Sequence, residues 1–126
     1  MNAIFINLSN HPSSKWDVKQ ITAALKMVDN GPIIDVTFPS IEPELEYSDV
    51  IDLAKDYFTK VTNLINEYEV DYVVFHIMGE MTFTYNLVKI LNDNGYHCYA
   101  STTKRNVVEK DGVKTSVFEF VQFRKY

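Results

Sequence analysis

The chain has a single cysteine, Cys98, and so cannot build an internal disulfide framework. It also lacks the basic balance of proteins that hold duplex DNA non-specifically, since 12 Lys and Arg against 17 Asp and Glu leave a net charge of −5. No apolar stretch approaches the ~20 residues that span a bilayer. The amino terminus shows none of the charged, apolar and small-residue succession of a signal peptide. The expected setting is therefore the cytoplasm, with neither a membrane nor duplex DNA as partner. Two glycine motifs are missing as well. Without Gly-x-Gly-x-x-Gly after the first strand, and without Gly-x-x-x-x-Gly-Lys-Ser/Thr, neither a dinucleotide cofactor nor ordinary NTPase chemistry is supported. One Cys and three scattered His form no helix-spaced zinc pattern, so we expect no metal and no cofactor.

What is present is enough for one compact domain over residues 1–126. Hydrophobic residues make up 46% of the chain, with eight Phe and eight Tyr, so a full core is available. Ala3 to Leu8 reads as a central strand buried on both faces. Ser14, three residues before Asp17, marks a helix start, and Val18, Ile21, Leu25 and Val28 recur at helical spacing until Asn30-Gly31-Pro32. Ile33 to Val36 is a second strand. The pattern from Ser48 to Tyr68 predicts the longest helix, followed by a strand from Asp71 to Ile77. Phe83, Leu87, Val88 and Leu91 then mark a third helix ending at Asn94-Gly95, and Tyr96 to Ala100 is a fourth strand.

Beyond it, Asp111-Gly112 is a two-residue hairpin signal, placing Glu109 opposite Lys114 and Val108 opposite Thr115. The run Val113 to Phe123 is apolar on both faces, with Val117, Val121 and Phe123 on one and Phe118 and Phe120 on the other. It is therefore not expected to be a free edge. The order predicts an α/β fold, a Rossmann-like three-layer sandwich with a mostly parallel sheet, strand order 2-1-3-4, extended by the carboxyl-terminal hairpin.

Three polar segments follow strands and should gather at the sheet edge where such folds bind ligands. In the first, Ser9, Asn10, Ser13 and Ser14 offer hydrogen-bonding groups before a helix, Lys15 adds a charge, and His11 is placed for proton transfer. Their bland reading is as turn and capping residues. In the second, Gly79 permits close approach, and Thr82 or Thr84 could cap a helix or touch a ligand. Glu80 could bind ribose, hold Lys104 or Arg105, or serve the helix end as a structural residue. The third, read as a loop, combines Ser101, Thr102 and Thr103 with Lys104 and Arg105, whose guanidinium can clamp a phosphate. Together they predict an anion pocket touching Asn10, Thr82 and Arg105. His76 and His97 read as satisfied strand histidines, and Cys98 as core.

The stretch Ile4 to Trp16, with Gly79 to Thr84 and the ending Phe120 to Tyr126, resembles small bacterial CRISPR-associated proteins. The loop with His11, Pro12, a small residue and nearby Trp16 is similar to that of compact CRISPR ring nucleases. This resemblance implies a homodimer of antiviral type III CRISPR signalling that binds cyclic oligoadenylate and cleaves it without metal. A ribose 2′-hydroxyl would attack the adjacent phosphate. The implied roles are phosphate positioning by Ser9, Asn10, Ser13 and Ser14, charge stabilisation by Lys15 and Arg105, proton movement by His11, and a cradle completed by Thr102, Thr103 and Lys104. Three alternatives stand beside it: a non-catalytic sensor or sponge for the same or another small phosphorylated nucleotide, a nucleoside-processing enzyme with Glu80 as nucleophile, and a purely structural partner-binding protein.

Overall fold

The computed structural model describes residues 2–126. Five strands form one sheet, β1 (Ala3–Ser9), β2 (Ile33–Asp35), β3 (Tyr72–Met78), β4 (His97–Lys110) and β5 (Val113–Lys125), in the order β2-β1-β3-β4-β5. The first four are parallel and β5 runs antiparallel to β4. The helices are α1 (Val18–Met27), α2 (Tyr47–Tyr68) and α3 (Met81–Asp93). Among the described residues, no helix is long and apolar enough to cross a membrane.

Every residue of β1 is buried, which is why its apolar run is nearly continuous: both faces of a central parallel strand are covered by helices. One face packs Ile4, Ile6, Leu8, Phe75 and Ile77 against Val61 and Ile65 of α2 and Phe83, Leu87 and Leu91 of α3. The opposite face packs Phe5 and Val74 with Ala24 and Val28 at α1, against which Trp16, Tyr99 and Phe123 lean. The fold is the expected three-layer, Rossmann-like sandwich.

Local chemistry sets where the helices begin. The expected start at Ser14 is corrected: Ser13–Lys15 is a single 3₁₀ turn, and α1 begins only after Asp17, whose carboxylate accepts the Gln20 amide at 2.8 Å. A carboxylate one residue before the helix meets the free amides better than a hydroxyl three residues earlier. Glu46 and Asp49 form a reciprocal capping box on α2. The α3 cap is Glu80 rather than Thr82 or Thr84.

The hairpin turns at Asp111 (φ 52°) and Gly112 (φ 78°), the two left-handed positions that a tight two-residue turn requires. Its register pairs Glu109 with Lys114 and Val108 with Thr115, as expected. Two expectations about this region fail. Residues Ser101 to Arg105 are not a loop, because β4 runs unbroken from His97 to Lys110. Nor is the last strand covered: β5 is the sheet edge, and its outer part from Val113 to Glu119 is exposed, with Phe118 66% and Val113 64% accessible.

The face assignment is also corrected. Thr102 pairs with Gln122 but Thr103 with Phe120, so Val121 is an extra residue, a β-bulge. That inserted residue reverses the alternation. Phe118, Phe120 and Phe123 therefore share one face, and the rings of Phe120 and Phe123 lie 4.9 Å apart.

Candidate functional site

The parallel register sets Asp35 beside Asn7 and Asn7 beside His76, so β2, β1 and β3 each contribute one polar side chain at the same height near their carboxyl ends. Asn7 is 1% exposed and is the hub of the row. Its amide Nδ2 donates to Asp35 Oδ1 and to the His11 carbonyl, both at 2.9 Å. Its Oδ1 accepts from the Ser9 hydroxyl and from His76 Nδ1, both at 2.8 Å. All four hydrogen-bonding capacities of the amide are used.

This hub fixes the loop after β1. The His11 carbonyl also receives the Trp16 indole N–H at 3.1 Å, and the His11 amide reaches the Ser9 hydroxyl at 3.3 Å. Asp35 takes the Ser13 amide at 3.0 Å and the Ser13 hydroxyl at 2.8 Å. Burial alone would raise the Asp35 carboxyl, but hydrogen bonds from Asn7 and Ser13 outweigh it and hold the pKa below its ordinary value.

At the His76 end of the row lies an open cavity of about 750 Å³, whereas Asn7 and Asp35 line a separate cleft of about 250 Å³. Ser9, Asn10, His11 and Lys15 line it from the β1 loop, with Trp16, Asp17 and Gln20 from the start of α1. His76, Met78 and Gly79 come from the end of β3, and Ser101, Thr103, Phe118 and Phe120 from the hairpin. The three expected segments thus meet at one sheet edge, but each contributes only part of itself. A second cavity, of about 530 Å³, runs beside α3 between Met81, Tyr85, Val88 and Tyr126; of the residues singled out from the sequence as ligand contacts, Gly79 and Thr84 are in its lining.

Several predicted site residues lie elsewhere. Ser13 has spent its amide and hydroxyl on Asp35, and exposed Ser14 stands outside the cavity lining. Glu80 accepts the Phe83 amide at 2.8 Å and the Thr82 hydroxyl at 2.7 Å, so both serve the start of α3, and those bonds hold the Glu80 pKa below its ordinary value. The expected contact of one pocket with Asn10, Thr82 and Arg105 is therefore met only by Asn10. Strand alternation turns Thr102 and Lys104 to the face opposite Ser101 and Thr103, and the Thr102 hydroxyl donates to the Gln122 carbonyl at 3.1 Å. Arg105 shares the cavity face but lies beyond its rim, where Nε donates to the Ser116 hydroxyl at 3.0 Å.

Gly79 has a structural reason of its own. A Cβ there would overlap the Phe38 ring, so the close approach it permits is that of an aromatic side chain.

His76 was missed as a site residue. It is 2% exposed and lines the cavity, yet among the described residues its Nε2 has no hydrogen-bond partner. The reading of it as a satisfied histidine is corrected. Burial, and secondarily the charge of His11, push its pKa down to about 4. A signal was available in the sequence, since Asn7 and His76 are the polar interruptions of two otherwise apolar strands, and parallel pairing sets them side by side. Cys98, fully buried, has its thiol pushed up to about 12 by burial and belongs to the core, as expected.

Fold and site together define a Rossmann-like α/β protein with a polar, aromatic-walled cavity at the carboxyl edge of its parallel strands. The chain belongs to the family described as uncharacterized protein MJ1673 family, whose profile matches residues 3–124. No curated protein matches the sequence. One solved structure with similarity to it is Enterococcus italicus Csm6 bound to cyclic hexa-2′-fluoro-hexa-dAMP, at 12% identity and a TM-score of 0.42. The likeness covers 81% of this chain and 26% of that one, so this chain spans about a quarter of that protein's length.

Proposed function

We propose that the cavity at the His76 end of the Asp35–Asn7–His76 row binds a cyclic oligoadenylate and that the loop from Ser9 to Lys15 cleaves it. The observation that carries the reading is the cavity itself: a preformed cleft at the carboxyl ends of β1 and β3 with a cation, hydroxyls and aromatic walls. Lys15 supplies the positive charge, Asn10, Ser101 and Thr103 supply neutral hydrogen bonds, and Trp16, Phe118 and Phe120 offer surfaces for flat bases. The resemblance of this loop to that of ring nucleases supports the choice of ligand.

In the cleavage step a ribose 2′-oxygen forms a bond to the adjacent phosphorus as the bond from phosphorus to the 5′-oxygen breaks. The products are a cyclic 2′,3′-phosphate end and a 5′-hydroxyl. His11 takes the 2′-hydroxyl proton, water protonates the departing oxygen, and Lys15 offsets the charge that builds on the phosphate. The chain would act as a homodimer around a ring shared by two such cavities.

One observation favours binding without cleavage. Lys15 is the only Lys or Arg among the cavity-lining residues, with Arg105 held at Ser116 and Lys104 on the opposite face. Incubation with cyclic tetra- or hexa-adenylate in EDTA, followed by chromatography, separates the readings. Linear products ending in a cyclic phosphate support cleavage, bound but intact rings support the sensor, and no binding overturns both.

A further inference from the structure

The row of hydrogen bonds across β2, β1 and β3 assigns the protons of His76. Asn7 Nδ2 donates to both the Asp35 carboxylate and the His11 carbonyl, so Asn7 Oδ1 is the oxygen that faces His76 Nδ1. A carbonyl oxygen only accepts, hence Nδ1 carries the proton and Nε2 presents a bare lone pair. Buried polar atoms in folded proteins are nearly always paired. An acceptor left without a partner in the wall of a cavity marks a place where a ligand can supply one.

We propose that His76 Nε2 accepts a hydrogen bond from the ligand, and that the donor is the amino group of a nucleobase. This rests on the reading of the cavity as a nucleotide site and names what its inner wall recognises. A phosphate oxygen has no proton to give and is repelled by the lone pair, so the phosphate belongs elsewhere. The rings of Phe123, Trp16 and Phe5 surround the imidazole at 5.2, 5.5 and 6.3 Å between centroids. Lys15 and Asn10, by contrast, are exposed at the mouth. That gradient orients a nucleotide with its flat base inward and its phosphate outward. Burial keeps the imidazole neutral at physiological pH, with a pKa of about 4, so it remains an acceptor there. Nε2 is closed off from solvent in the free protein. Half-buried Trp16 stands edge-on to the imidazole, and its displacement admits the base. Trp16 is the only tryptophan of the chain, so its fluorescence reports that movement.

The test begins with nitrogen NMR of the free protein. The Nδ1–H tautomer is expected for His76, and the Nε2–H tautomer overturns the proposal whatever the ligand. Trp16 fluorescence then compares adenosine 5′-monophosphate with purine riboside 5′-monophosphate, which lacks the amino group, and compares a cyclic adenylate ring with the corresponding purine ring. Roughly tenfold weaker binding of the purine forms is expected, with a shift of the His76 Nε2 resonance only on binding the amino form. His76→Phe should abolish the discrimination, and His76→Gln, which restores an acceptor, should recover part of it. Equal affinity of adenine and purine forms overturns the proposal, as does a loss seen only with 2′-deoxy ligands, which would make the donor a ribose hydroxyl. Binding of the mononucleotide but of no ring overturns the cyclic ligand and leaves the amino-group comparison to judge His76. Binding of neither overturns both.

Discussion

The loop after β1 and the stretch from Ser101 to Arg105 look alike in the sequence, each a run of hydroxyls ending in a cation, yet the structure treats them in opposite ways. The first is tied through Asn7 to three strands, so the positions of Ser9 and of the His11 backbone are set by the core. The second is a length of strand near a sheet edge, where alternation alone decides which residues face the cavity. Ser101 and Thr103 do, whereas Thr102 and Lys104 face the other way. A buried hub makes a site rigid, and a protruding hairpin lends only surface.

The sharpest way to break this contrast is to remove the hub. Asn7→Ala should cost about 3 to 4 kcal/mol in denaturant unfolding, because it strands a buried His76 N–H and takes one donor from both the Asp35 carboxylate and the His11 carbonyl. A loss below 1 kcal/mol would show that the row holds nothing in place. Next comes acid. His76 binds its proton at about 4 when folded and at about 6.5 when unfolded, so between those values the unfolded state holds more protons and stability falls as pH falls. The loss from this group should reach about 3 kcal/mol near pH 4, and His76→Phe should flatten that part of the stability profile.

A smaller effect separates the cations of the two segments. Lys15→Ala should weaken binding of a cyclic adenylate roughly tenfold, with a shallower salt dependence. Arg105→Ala should change affinity less than about twofold and stability by under about 0.5 kcal/mol, since its hydrogen-bond partner Ser116 is exposed. Equal effects of the two would put both segments into the site on the same footing.

The layers, strand order and hairpin register were readable because each depends on local pattern: a buried run in β1, helical spacing in α2, and a turn that needs two left-handed residues. The convergence of three segments followed from parallel topology. Which residues of each segment arrive did not. The bulge at Val121 is set by how the hairpin meets the sheet, and no residue type announces it, so simple alternation places Phe123 on the wrong face. Glu80 offered several roles on paper because a carboxylate can cap or bind; the position of the Phe83 amide selected the cap. His76 looked like core since it is core, and only its pairing with Asn7 reveals that one nitrogen is spoken for and the other is not.

Chemical-shift mapping of backbone amides on titration with a cyclic adenylate ring tests the central claim most directly. The largest changes should fall at Ser9, Asn10, His11, Lys15, Ser101 and Thr103, with little at Lys104. Changes concentrated along α3 and Tyr126 or at the hairpin tip around Asp111 and Gly112, or no changes at all, would contradict a nucleotide site at the His76 end of the Asp35–Asn7–His76 row.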